Sequence, residues 1–238
     1  MWSLSKALWV WSLLALLTGP VSAQEGFDPA APGGEGFERI VANDESYGYF
    51  LSTAKWRTLV IAVCWESLDA ANDRQRGMVK EAVEASWQAH SAVQFTGWLA
   101  CPARNFIGIR ITSANEWPHT VNLGAKISGV KGGMVLNFDF NMPEFDVCNA
   151  SPQMHDQCVK AIAVHEFGHA LGFAHEQNRT DAVVGSCVLK PAGQQGDIEL
   201  TPYDVKSVMN YCNPKYLNFG MLSDGDILSV QKIYGPHS

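Results

Sequence analysis

Positive charge is in short supply in this chain. Seventeen Lys and Arg against 24 Asp and Glu leave a net charge of −7. An acidic protein has no electrostatic reason to seek nucleic acid or an anionic membrane, so neither is an expected partner. After residue 23 no apolar run approaches the roughly 20 residues that a helix needs to cross a bilayer. No two cysteines stand as C-x-x-C, which argues against a zinc ribbon or a thioredoxin-like redox site. Internal repeats are also missing, which excludes a solenoid. What remains is an ordinary globular composition, 47% hydrophobic and 17% charged over 238 residues, well away from the disorder signature.

The first 23 residues differ from the rest. Lys6 is their single charge, and an apolar run follows from Ala7 to Leu17. Thr18-Gly19-Pro20 breaks the run, and Val21-Ser22-Ala23 has the small-x-small form of a cleavage site. This pattern predicts a secretory signal peptide at 1–23, cut after Ala23, and an extracellular mature chain. Residues 24–55 begin rich in Gly, Pro and acid and are expected to be a flexible N-terminal segment, a candidate short propeptide. The main folded domain is expected at 56–238, as a monomer. Six cysteines behind a signal peptide suggest disulfides, although six allow 15 pairings. Local pairing gives Cys64–Cys101, Cys148–Cys158 and Cys187–Cys212.

Hydrophobic periodicity places the elements. Thr58 to Val63 reads as a buried strand, and 72–90 has helical spacing. Strands are expected at 93–98, 106–111 and 133–140, and helices at 157–172 and 224–234. Residues 177–223 carry Gly, Pro, Asn and Asp throughout and read as a long irregular region, which is unusual unless it serves function. The expected fold class is therefore α+β: a mixed twisted sheet, one long helix on it, and a loop-rich C-terminal part.

The chemistry sits on the long helix. His165-Glu166-Phe167-Gly168-His169 has the form H-E-x-x-H. At about 100° per residue, His165 and His169 are offset by only about 40° and leave one face a turn apart, so both can reach one metal. Glu166 lies beside them, angled toward the same side. His175 is six residues on. On a continuing helix it would stand about 240° away, on the wrong face. It can join the others only if the helix stops and the chain turns back, and Gly172 stands where a left-handed stop is needed. Three histidines leave a fourth position open, the layout of a catalytic rather than a structural zinc site. One Zn2+ per chain is expected, with Glu166 as general base. His90, His119, His155 and His237 have no ligand spacing. Asp139, Glu144 and Asp146 could hold a second metal, but a solvated acidic loop accounts for them as well.

These residues resemble the metzincin zinc peptidases, whose signature H-E-x-x-H-x-x-G-x-x-H runs here from His165 to His175. Ser207-Val208-Met209-Asn210-Tyr211 is similar to the Met-turn of that clan. Within the clan the run from His175 to Asp181 is similar to the H-E-x-x-R-x-D of the astacins. The resemblance implies a metzincin-like catalytic domain with Met209 beneath the metal, Tyr211 as a second catalytic group, and Glu176 and Gly172 as structural support. It also implies a protein or peptide substrate bound along an edge strand, which by position falls at 124–134, and a side-chain pocket near 213–219. Ala182-Val183 depart from the Arg-Asp that usually continues the astacin run, and no latency motif stands before residue 56. The expected activity is a secreted zinc endopeptidase. The alternatives are a binding module that keeps the fold without catalysis, and a zinc hydrolase of a non-peptide amide.

Overall fold

The computed structural model describes residues 48–182, 192–213 and 215–237. The expected signal peptide, most of the N-terminal segment and Cys187 of the third expected disulfide lie outside them. The elements run in the order β1 (Tyr49–Phe50), β2 (Val60–Trp65), α1 (Asp73–Val83), β3 (Gln94–Ala100), β4 (Ile109–Ser113), β5 (His119–Thr120), β6 (Met134–Leu136), α2 (Pro152–Leu171), β7 (Ile198–Glu199) and α3 (Asp224–Tyr234). The main sheet has the order β3-β2-β4-β6-β5. Its first four strands are parallel neighbours, and β5 runs antiparallel to β6 at the edge. This is a mixed sheet in an α+β domain. A short antiparallel pair, β1 with β7, stands apart from it.

The core forms where β-branched and aromatic residues of the sheet meet two helices. Ile61, Val63, Ile109, Ile111 and Met134 are buried from the strands, Val79 and Val83 from α1, and Ala163 and Phe167 from α2. Helix α1 packs on α2, and α2 also touches β5 and β6. One π-turn, Glu84–Gln88, continues α1 and buries Trp87, whose indole N–H donates to the carbonyl of Val164. The last carbonyls of a helix have no partner within it. In α2 they are taken from outside: the Trp56 indole donates to Ala170, and the Tyr234 hydroxyl to Leu171. The second half of α2 is thus held by side chains from three distant parts of the chain. Two disulfides add restraint. Cys64–Cys101 joins β2 to the chain just after β3, and Cys148–Cys158 ties the turn before α2 to its second turn.

Several boundaries differ from those expected. Helix α2 begins at Pro152 rather than 157, because the Ser151 hydroxyl caps it by accepting from Met154 N–H and proline suits its first turn. The strand expected at 133–140 stops at Leu136, where the Asn137 carboxamide takes over the N–H groups of Asp139 and Phe140. The domain boundary expected at 56 falls inside packed structure: Tyr49 and Phe50 are buried and pair with β7. The edge strand expected at 124–134 is absent. Gly124–Ile127 is a 3-10 turn, and the edge is β5 at His119–Thr120. Gly124, Gly129 and Gly132 have φ of 51°, 73° and 62°, incompatible with an extended strand. At Gly124 an added Cβ would lie 2.0 Å from the Ala54 carbonyl oxygen, so this glycine lets the chain approach itself, not a substrate. No described helix is long and apolar enough to cross a membrane.

Candidate metal centre

Helix α2 presents His165, Glu166 and His169 within its last two turns, all buried. It ends at Leu171. Gly172 takes φ 108°, and an added Cβ there would sit 2.6 Å from the Phe50 ring. The chain then runs extended beside β1: Leu51 N–H donates to Gly172, Ala174 N–H donates to Tyr49, and Phe173 bridges Phe50. That pairing fixes the return path and carries His175 back to the helix. The expected stop at Gly172 therefore has two causes, a backbone conformation and a lack of room.

The ligand atoms of His165, His169 and His175 all lie within 4.8 Å of one another. Each ring has its Nδ1 against a backbone carbonyl: His165 on Val208 at 2.8 Å, His169 on Phe173 at 2.7 Å, His175 on Ala192 at 2.9 Å. Carbonyls only accept, so each Nδ1 carries the proton. Each Nε2 is then a bare lone pair. Yet the Nε2 of His175 stands 3.2 Å from that of His165 and 3.1 Å from that of His169. Three lone pairs this close repel one another unless a cation lies between them. Burial also keeps these rings neutral. It pushes His165 down to about 3, with His175 adding to the shift, and holds His169 well below the ordinary range. Neutral, oriented imidazoles are what a zinc ion takes as ligands, so the residues present fit the group. Among the described residues this is the one group of three or more metal-ligating side chains that converges; Asp139, Glu144 and Asp146 do not.

Glu166 adjoins this set. It is 2% exposed, and its Oε2 has no hydrogen-bond partner among the described residues. A buried carboxylate oxygen without a donor is costly, and burial accordingly raises Glu166 to about 8. A cation among the histidines would lower it again. Glu166 lines two hollows that meet at the site, together with Trp117, Pro118 and Tyr211.

The turn at 207–211 forms the floor. Met209 is buried directly against Gly168: a Cβ added to Gly168 would lie 2.3 Å from the Met209 sulfur and 3.0 Å from the Trp87 ring. Replacing Gly by Ala inside a helix ordinarily gains about 1 kcal/mol. Here Gly168→Ala is expected to lose about 1–3 kcal/mol by overpacking. Urea unfolding of the full chain reads this; a variant more stable than the parent would refute the packing argument. The Tyr211 ring stacks on His165 at 5.2 Å and lies 4.4 Å from the His175 ring. Glu176 is not part of the converging set. Its carboxylate accepts from Asp204 N–H and lies 3.4 Å from buried Arg179, while its own N–H donates to Met209. Burial raises it to about 8, with Arg179 pulling the other way.

Sequence reasoning missed the groups behind these. The carbonyls of Val208, Phe173 and Ala192 have no side-chain signature. Asp226, buried in α3, accepts from the Ser207 hydroxyl and from Val208 N–H, and so holds the turn whose carbonyl orients His165. The spacing Ser223-x-x-Asp226 marks a helix cap, but nothing in it signals the further bonds.

Comparison with known proteins places this geometry. The astacin family of peptidases matches residues 150–184. No curated protein sequence matches the chain. Among solved structures the fold is similar to that of myroilysin, at 18% identity over 79% of this chain and 98% of that one, with a TM-score of 0.54. High choriolytic enzyme 1, a hatching enzyme zinc-protease from the medaka fish Oryzias latipes, aligns at 17% identity over 78% and 92% of the two chains, with a TM-score of 0.45. The segment that builds the site is thus similar to the corresponding segment of the astacin family of peptidases, and the fold around it is similar to that of myroilysin.

Proposed function

We propose that the chain is a secreted zinc-dependent endopeptidase acting on protein or peptide substrates, with His165, His169 and His175 as metal ligands and Glu166 as general base. One observation carries this reading: three imidazole lone pairs converge in a neutral, buried pocket beside an unpartnered carboxylate oxygen. When bound there, zinc supplies a Lewis acid that polarises a substrate carbonyl and brings the pKa of a water toward 7.

The chain's own residues do the rest. Oε2 of Glu166 takes the proton of the attacking water and passes it to the leaving amine. Tyr211, stacked against the ligand rings, donates its hydroxyl hydrogen to the charge developing on the carbonyl oxygen. The substrate backbone lies along the open side of β5, adding a strand to the sheet edge. Gly172 and Met209 hold His175 and His165 in place, and Glu176 locks the chain after His175 to the turn at Met209. Secretion is supported by the residue 1–23 pattern and by the disulfides, which persist in oxidising compartments.

The test is hydrolysis of an unfolded protein by the zinc-loaded full chain. Cleavage is expected to stop when a chelator removes the metal and to return on adding zinc. Unchanged cleavage after complete metal removal would sink the reading. Zinc binding without hydrolysis of any protein would favour a binding module instead.

A further inference from the structure

We propose that Asn178 is a positioning residue of the metal centre, whose carboxamide clamps the Ala192 backbone and thereby fixes the His175 ring. This rests on the zinc-site reading above. The three ligand rings are not equally supported. The carbonyls that hold His165 and His169 belong to Val208 and Phe173, which are buried. The carbonyl that holds His175 belongs to Ala192, which is exposed. Packing fixes the first two acceptors, whereas the third must be fixed by bonds. The next ties along that segment are Gln195, which accepts from the Tyr49 hydroxyl, and Asp197, which pairs with Phe50 and Ser52. From Ala192 to Gln194, the hydrogen-bond partners among the described residues are His175 and Asn178 alone.

Local geometry brings Asn178 to that point. Glu176–Asn178 is a 3-10 turn with His175 at its N-cap, and Asn178 N–H donates to the His175 carbonyl at 3.1 Å. A 3-10 turn brings residues three apart onto one side, and here both side chains reach Ala192. Asn178 Nδ2 donates to the Ala192 carbonyl at 2.6 Å, and Oδ1 accepts from Ala192 N–H at 3.0 Å. His175 Nδ1 donates to that same carbonyl at 2.9 Å. Ring, carbonyl, carboxamide and turn thus close a circuit of hydrogen bonds. A carboxamide carries a donor and an acceptor side by side, as the two backbone groups of one residue require. The backbone it holds also lies against the ring: a Cβ added to Gly193 would stand 3.3 Å from His175 Cε1 and Nδ1. In the run H-E-x-x-R-x-D, Asn178 occupies an unspecified position, so that pattern gives it no role.

The experiment compares the full chain with Asn178→Ala and Asn178→Asp, each carrying isotope-labelled histidine. Zinc affinity is measured by competition with a chelator, and urea unfolding is measured without metal. NMR follows the exchange of each ligand's Nδ1 proton with water in the zinc-loaded chain. Asn178→Ala is expected to weaken zinc binding roughly 10-fold, the lower end for groups behind a ligand. Proton exchange should quicken at His175 and not at His165 or His169. The metal-free unfolding midpoint should stay close to that of the unaltered chain, because the bonds lost are exposed. Asn178→Asp keeps the shape and the acceptor for Ala192 N–H but turns a carboxylate oxygen on the Ala192 carbonyl. It should bind zinc no better than Asn178→Ala, and it decides the matter if Asn178→Ala does not fold. Asn178→Asp as tight for zinc as the unaltered chain would overturn the clamp. So would a lowered unfolding midpoint with zinc affinity and His175 exchange unchanged, which would make Asn178 a residue of the fold alone. Faster exchange at all three rings alike would overturn it too. If the unaltered chain binds no zinc, the zinc reading falls. Exchange at His175 in the metal-free chain then decides the clamp by itself, and equal rates with and without Asn178 overturn it.

Discussion

Glu166→Gln is expected to keep one zinc per chain and to lose hydrolysis by roughly 100- to 10,000-fold in kcat, the usual share of general acid–base catalysis. The two side chains have the same shape, so the packing around α2 should not change. What changes is Oε2, a buried oxygen with no donor among the described residues, placed where a proton can arrive. Gln offers an amide there and cannot accept that proton. The histidine set stands on its own supports, the carbonyls of Val208, Phe173 and Ala192, and none of these involves Glu166. Metal content by atomic absorption and turnover on one peptide separate the two effects. Turnover equal to that of the unaltered chain would sink the assignment of Glu166 as base. Loss of zinc together with activity would instead make Glu166 part of the metal's support.

The parts of this site that were legible in the sequence are those that obey helical geometry. His165 and His169 share a face because four residues nearly complete a turn, and His175 could join them only through a break at Gly172. Side-chain spacing carries that information. The same logic located β2, α1, β3 and α3 to within a few residues, since each rests on local periodicity. The edge of the sheet was not legible. A glycine-rich run at 124–134 reads as open backbone, yet its glycines serve positive φ and close approach to Ala54 and Phe106, while the two-residue β5 is too short to show a period. Nor could the return of the chain be seen. It depends on Tyr49, Phe50 and Leu51, more than a hundred residues before His175, pairing through backbone groups that any residue possesses. The acceptors that orient the ligands escaped for the same reason.

Asp226 is where such hidden support is concentrated, and Asp226→Ala is expected to cost about 2–6 kcal/mol of stability, because two buried N–H groups lose their acceptor at about 1–3 kcal/mol each. Its carboxylate accepts from Val208 N–H and Ser223 N–H at 2.9 Å and from the Ser207 hydroxyl at 2.6 Å. The turn it holds carries the Val208 carbonyl that fixes the His165 ring, so zinc affinity should also fall, by roughly 10- to 100-fold as for other groups behind a ligand. Asp226→Asn provides the contrast. Its oxygen can serve the two N–H groups, and its amide can donate to Ser207. Burial raises Asp226 from its ordinary 3.8 to about 6, against the pull of its three donors. A raised acid favours the folded chain most below its unfolded value, so this contribution is full below about 3.8 and is lost as the pH rises through about 6. Asparagine does not titrate, and Asp226→Asn should flatten that part of the stability profile while keeping the zinc. Unfolding midpoints across this window, with zinc titrated in parallel, read both effects. An alanine variant as stable and as tight for zinc as the parent would show that the turn holds itself, and that α3 serves the fold without serving the site.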